Sequence, residues 1–270
     1  MEAQENMRSR LVVGTFLLAP ALAAWAQGAA SRPSFDTFEV ATVKPVDSDA
    51  HRSRLFRMEG QHRWIATDYT LKNLIALAYD LSPKTISGGP SWVESQHFDI
   101  QAVTPGDVQP RRLEQMQMLR ALIVERFGLK FHLDQKEFSI YELTIAKGGP
   151  KLNPAATPAD PPQLIGIVYP DRIEVPAKSV TMDDIVAMLQ RATLDRPTVN
   201  RTGLSGKYDF KLDWAPDETQ YSGELPKASD DAPAPPLFTA IQEQLGLKLT
   251  ATRGMVNALV IDHAKKPAED

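Results

Sequence analysis

EQLGLKL (residues 243–249) and ERFGLKF (residues 125–131) are nearly the same string, placed 118 positions apart. In each, a helical apolar face runs up to a glycine: Ile241 and Leu245 before Gly246, Ile123 and Phe127 before Gly128. An alternating stretch, LKLTA or LKFHL, follows at once. Glycine suits the residue after a helix because it enters the left-handed conformation without a Cβ clash. The spacing therefore predicts one helix–glycine–strand joint, used twice.

Working outward, other elements recur at nearly the same distance. TLKNLIALAYDL carries Leu71, Leu74, Ile75 and Ala78, and TMDDIVAMLQRA carries Met182, Ile185, Val186 and Leu189. Both sets follow i, i+3, i+4, i+7, the buried stripe of an amphipathic helix. Thr70 and Thr181 precede them as N-caps, each hydroxyl able to accept a bond from an orphan backbone N–H. A strand follows each helix: FDIQAV from Phe98 and YDFKLDW from Tyr208. In the second, Tyr208, Phe210, Leu212 and Trp214 alternate with charged residues, the period of a sheet with one buried face. A last strand closes each copy, around Leu143 and Ile145 in IYELTIAK and around Leu259 and Ile261 in NALVIDH. Further strands are expected in front, at FEVATV from Phe38 and DRIEV from Asp171.

The fold class predicted is α+β, internally duplicated, with two related lobes. Each lobe is a small sheet with two packed helices. The first lobe is expected over 35–147, a Pro-rich linker over 148–163, and the second lobe over 164–267, with a mobile loop at 215–236 that is rich in proline and charge.

The N-terminus predicts export. Arg8 and Arg10 precede an apolar run from Leu11 to Ala24, and Ala24-Trp25-Ala26 offers an A-x-A cleavage site. This is the order of a secretory signal peptide over residues 1–26. The run is shorter than the roughly 20 apolar residues a bilayer core requires. The expected location is periplasmic or extracellular, with no transmembrane segment after cleavage. The removed piece carries Glu2, Glu5, Arg8 and Arg10, so the net charge of −4 is unchanged. An acidic chain without a basic tract is not built for nucleic acid. It also lacks the polybasic stretch that would hold it on an anionic membrane. There is no cysteine, so thiol catalysis, thiolate metal sites and disulfides are excluded.

Several segments resemble one family: FEVATVKP (38–45), ISGGPSW (86–92) followed by FDI, ERFGLKFHL, YELTIAKGGPKL, RPTVNRTGLSGKYDF, LFTAIQEQLGLKL and LVIDHAKKP. It is a family of uncharacterised exported proteins, a domain of unknown function expanded in soil bacteria. Some of its members are fused to membrane-bound sensor metallopeptidases of the antibiotic-sensing type. The resemblance implies an extracytoplasmic binding role and supplies no catalytic residue. The rhythm of the second half is also similar to the short N-terminal domains of secretins and TonB-dependent receptors, which are periplasmic interaction modules.

The five histidines, His51, His62, His97, His132 and His263, show no i, i+4 pair and no H-E-x-x-H, so neither a metal nor another cofactor is expected. TGLSGK (202–207) is neither a P-loop, since Arg201 stands where the first glycine belongs, nor a G-x-S-x-G elbow. It reads as a turn. Asp183 and Asp184 suit the first turn of a helix, where negative charge meets the positive end of the dipole. The acidic set in 217–231 lacks calcium-loop spacing.

SGGPSW (87–92) is the loop with most to offer a ligand. Gly88 and Gly89 leave backbone N–H groups unshielded, Pro90 stiffens the turn, and Ser91 and Trp92 add a hydroxyl and a broad amphipathic ring. The candidate ligand-binding residues are Gly88, Gly89, Ser91 and Trp92. The competing reading is an irregular turn with Trp92 buried beneath it. The function expected is an exported, non-enzymatic binding or interaction module for an envelope protein, peptide or glycan. The alternatives are a hydrolase with its active site assembled between the lobes, and a purely structural envelope protein.

Overall fold

A computed structural model describes residues 32–46, 54–223 and 233–268. The expected signal peptide and the middle of the 215–236 loop lie outside those residues. The chain divides into Met1–Arg32 and Pro33–Asp270, and the second of these units carries the fold. Its elements are β1 (Val40–Val46), β2 (Leu55–Glu59), β3 (Arg63–Thr70), α1 (Leu71–Tyr79), β4 (Ile86–Gly88), α2 (Trp92–Ser95), β5 (His97–Val103), α3 (Arg112–Phe127) and β6 (Lys130–Ile145). There follow β7 (Asn153–Pro154), β8 (Gln163–Leu164), β9 (Ile167–Val168), β10 (Ile173–Val180), α4 (Met182–Met188), β11 (Thr198–Asn200), β12 (Tyr208–Trp214), α5 (Leu237–Leu245) and β13 (Leu247–His263). The protein is mixed α and β, with strands in the order β1-β5-β3-β2, β7-β12-β10-β8 and β11-β6-β13-β4.

The helices start and stop for the reasons their sequences give. Thr70 Oγ1 accepts from Asn73 N–H at 3.2 Å, and Leu71, Leu74, Ile75 and Ala78 are buried. Thr181 Oγ1 accepts from Asp184 N–H at 3.2 Å while the Asp184 carboxylate accepts from Thr181 N–H at 2.8 Å, a reciprocal box at the start of α4. Gly128 and Gly246 end α3 and α5 at φ +57° and +66°.

A bulge marks the same place in two sheets. The β3–β5 register shifts between Ala66 and Tyr69, and Asp68 there has φ +61°. The β10–β12 register shifts between Ala177 and Val180, and Ser179 there has φ +54°. Each strained residue is held by a carboxylate on the neighbouring strand. Asp68 N–H donates to Asp99 Oδ1 at 3.0 Å, and Ser179 N–H donates to Asp209 Oδ1 at 2.8 Å. The aspartates of FDI and YDF therefore serve the backbone.

The ends of the two halves differ from the expected pattern. LKFHL and IYELTIAK form one strand, β6, and LKLTA and NALVIDH form one strand, β13. The polar residues between them break nothing, because each long strand pairs antiparallel with the other from Leu247↔Ile145 to Ile261↔Phe131. The strands thereby cross between two cores. Leu259 and Ile261 of β13 pack with Leu74, Ile100 and Phe127, whereas Leu143 of β6 packs with Val175, Ile185 and Ile241. Short strands complete the exchange: β4 runs parallel to Leu259–Ile261 and β11 runs parallel to Tyr141–Leu143.

The expected linker and the start of the expected mobile loop both make contacts with the rest of the fold. In the 148–163 stretch, Lys151 N–H donates to the Leu245 carbonyl at 2.8 Å, β7 pairs with β12, and Ala155 is buried. At the start of the 215–236 loop, Gln220 is buried and its Oε1 accepts from Trp214 Nε1 at 2.8 Å. A buried indole N–H needs an acceptor, and the loop supplies it.

Candidate functional site

The expected loop is built from β4 and α2. Gly88 and Gly89 have φ +83° and +74°, and a Cβ on Gly88 would lie 2.6 Å from the Ile261 carbonyl oxygen. The glycine pair is thus required where β4 leaves the sheet against β13, whatever else it does. Ser91 is exposed, and its carbonyl accepts from Glu94 N–H at 3.2 Å. Trp92 is half-buried. Its ring stacks on Phe127 at 6.4 Å between centroids and meets Phe98 edge-on at 6.3 Å. Lys72 Nζ, 2.8 Å from Glu94 Oε1, ties this turn to α1 and lowers the Glu94 pKa. Gly88, Gly89, Ser91 and Trp92 stand together on one turn, with the tryptophan ring directed into the first core.

A second place gathers charge from elements far apart in the chain. α1 ends on Asp80, a left-handed residue at φ +52° whose N–H donates to the Ala76 carbonyl. α4 continues into a π turn, Leu189–Thr193, in which Leu194 N–H donates to the Leu189 carbonyl at 2.7 Å. Here Gln190 Nε2 donates to the Asp80 carbonyl at 2.7 Å, and Arg191 Nη1 donates to Asp80 Oδ1 at 2.6 Å. Arg112, from the first turn of α3, donates Nη2 to the same Oδ1 at 3.0 Å. Arg120 of α3 donates Nε to the Ala78 carbonyl at 2.7 Å and stacks over Tyr79. Burial lowers the Arg191 pKa, the neighbouring Arg112 lowers it further, and Asp80 works against both. Burial raises the Tyr79 hydroxyl pKa.

The residues of this seam were not singled out from the sequence. A signal was present, since Asp80 and Arg191 fall at matching points of the recurring pattern with opposite charge. Among the described residues no group of three His, Cys, Asp or Glu side chains is placed to hold a metal ion. His97 and His132 instead meet single carboxylates, Asp68 and Asp262, each at 2.8 Å from Nδ1. TGLSGK forms a bonded turn: Thr202 Oγ1 donates to Asn200 Oδ1, and Lys207 Nζ donates to the Pro158 carbonyl.

The sequence profile of a family described as "Protein of unknown function (DUF3738)" matches residues 72–264. The chain belongs to the DUF3738 family. The matched span takes in both places just described, the turn at 87–92 and the seam of Asp80, Arg112, Gln190 and Arg191. It begins inside α1, so β1 to β3 lie before the DUF3738 match. No curated protein and no solved structure gives a match. Among the described residues of this DUF3738 protein, no helix is long and apolar enough to cross a membrane.

Proposed function

We propose that this protein is an exported, non-enzymatic binding module whose ligand is taken at the seam around Asp80. One observation carries the reading. Two arginines from different halves converge on a single carboxylate oxygen, and neither has another hydrogen bond among the described residues. A guanidinium presents five donors in a fixed fork, and each of these two spends one on Asp80. The side chains of Asp80, Arg112 and Arg191 are 30%, 37% and 20% exposed, which leaves the group reachable from solvent.

Export is supported by the charged, apolar and small-residue order of residues 8–26. The partner is an envelope protein, a peptide or a glycan. We also read the two halves as copies of one unit that diverged, so that matching positions now carry an aspartate and an arginine. The turn at 87–92 contributes to binding only if Trp92→Ala leaves the melting temperature nearly unchanged.

The test uses the full-length chain as bait against envelope extract, beside an Arg112→Ala variant of matched melting temperature. Capture of a defined partner that Arg112→Ala loses supports the reading. Capture that ignores Arg112, or turnover by the protein in a broad hydrolase panel, overturns it.

A further inference from the structure

We infer that the seam binds an oxyanion, a carboxylate or phosphate group, held between Arg112 and Arg191; this rests on the binding-module reading. The charge balance carries it. Three guanidiniums, Arg112, Arg120 and Arg191, gather at the C-terminal end of α1. Among the described residues the carboxylate paired with them is Asp80, and the negative end of the helix dipole is equivalent to at most about half a charge. A surplus of roughly one and a half positive charges remains by that estimate. It sits on a protein whose net charge is −4, so the spot is marked electrostatically.

A purely structural clasp explains part of this arrangement. The carbonyls that end α1 need donors, and Arg120 supplies one to Ala78 while Gln190 supplies one to Asp80. It does not explain why two guanidiniums share one Oδ1 with single bonds. Arginine pairs with an oxyanion best through two parallel N–H bonds. A ligand offering two or more oxygens would provide that geometry, and would also offset the burial of Arg191, whose side chain is one-fifth exposed.

Asp80 competes with such a ligand for the same donors, which gives the test a sign. Thermal unfolding of the full-length protein is followed against sodium phosphate and, separately, sodium acetate, at ionic strength held constant with sodium chloride. The wild type is expected to show a saturable rise in Tm with at least one of the two. Asp80→Asn is expected to bind that anion at least five-fold more tightly, and Arg112→Gln to lose the rise. The two salts separate phosphate from carboxylate recognition. A structural clasp predicts that Asp80→Asn lowers Tm with no gain in anion dependence. That outcome, or no saturable response in wild type and Asp80→Asn alike, overturns the inference. Partner capture that still depends on Arg112 would then leave the binding-module reading standing with a different ligand class.

Discussion

Asp80 and Arg191 stand 111 residues apart, the same spacing as the starts of α1 and α4, and meet with Oδ1 and Nη1 2.6 Å apart. The left-handed turn that ends α1 exposes the one, and the π turn after α4 delivers the other. The contact joins the end of α1, whose apolar face lies in the first core, to the turn after α4, whose apolar face lies in the second. A double-mutant cycle with Asp80→Ala and Arg191→Met is expected to give a coupling of about 1–3 kcal/mol in urea unfolding, typical of partners in one polar network. Additive single changes would show the pair to be independent.

The strand exchange makes a C-terminal residue part of the first core. Leu259→Ala is expected to destabilise the protein by about 2–5 kcal/mol, since Leu259 is fully buried. The location of the effect matters more than its size. Hydrogen exchange should quicken in α1 and α3, far away in sequence, more than in α5. The reverse order would contradict the crossing of β13.

Trp92 separates two views of the 87–92 turn. Its contacts with Phe98 and Phe127 lead to an expected loss of about 2–3 kcal/mol for Trp92→Ala, below the full value for a completely buried ring. An unchanged melting temperature would show the ring to be a surface group and would favour binding at that turn.

The Thr181–Asp184 box predicts a cost of about 1 kcal/mol for Thr181→Ala, with Thr70→Ala similar at α1. Urea midpoints measure both. A change in the slope of unfolding rather than the midpoint would signal a different cause.

Asp209 ties fold stability to pH. N–H groups of Ala156 and Ser179 donate to its carboxylate and hold its pKa below the ordinary carboxylate value. A pKa depressed by folding stabilises the native state above the unfolded value of about 4, and that stabilisation fades as pH falls through the folded value. Asp209→Asn should therefore flatten the acid limb of Tm against pH below about 4. A variant as acid-sensitive as the wild type would remove Asp209 from that limb.

The local structure was legible in the chain because local chemistry sets it. Thr70 and Thr181 cap their helices as their hydroxyls allow, Gly128 and Gly246 take the left-handed angles that end a helix, and Leu71, Leu74, Ile75 and Ala78 are the buried stripe their spacing required. These depend on residues within one or two turns of each other, so the mixed α and β class and most element positions follow from the sequence alone. The glycine pair at 88–89 was legible as unusual backbone, yet its reason was not. Only the fold brings the Ile261 carbonyl against it from 173 positions away.

What tertiary structure alone decided is pairing at a distance. Alternation in LKFHL and NALVIDH identifies strands, but a strand's own residues do not state its neighbour, because backbone hydrogen bonds are the same for every partner. The joining of β6 and β13 into one long ribbon, and the passage of Leu143 and Leu259 into opposite cores, depend on both strands being present together. The meeting of Asp80, Arg112 and Arg191 has the same character. Each is an ordinary exposed-looking charge in its own segment, and their field arises only when folding removes the water between them.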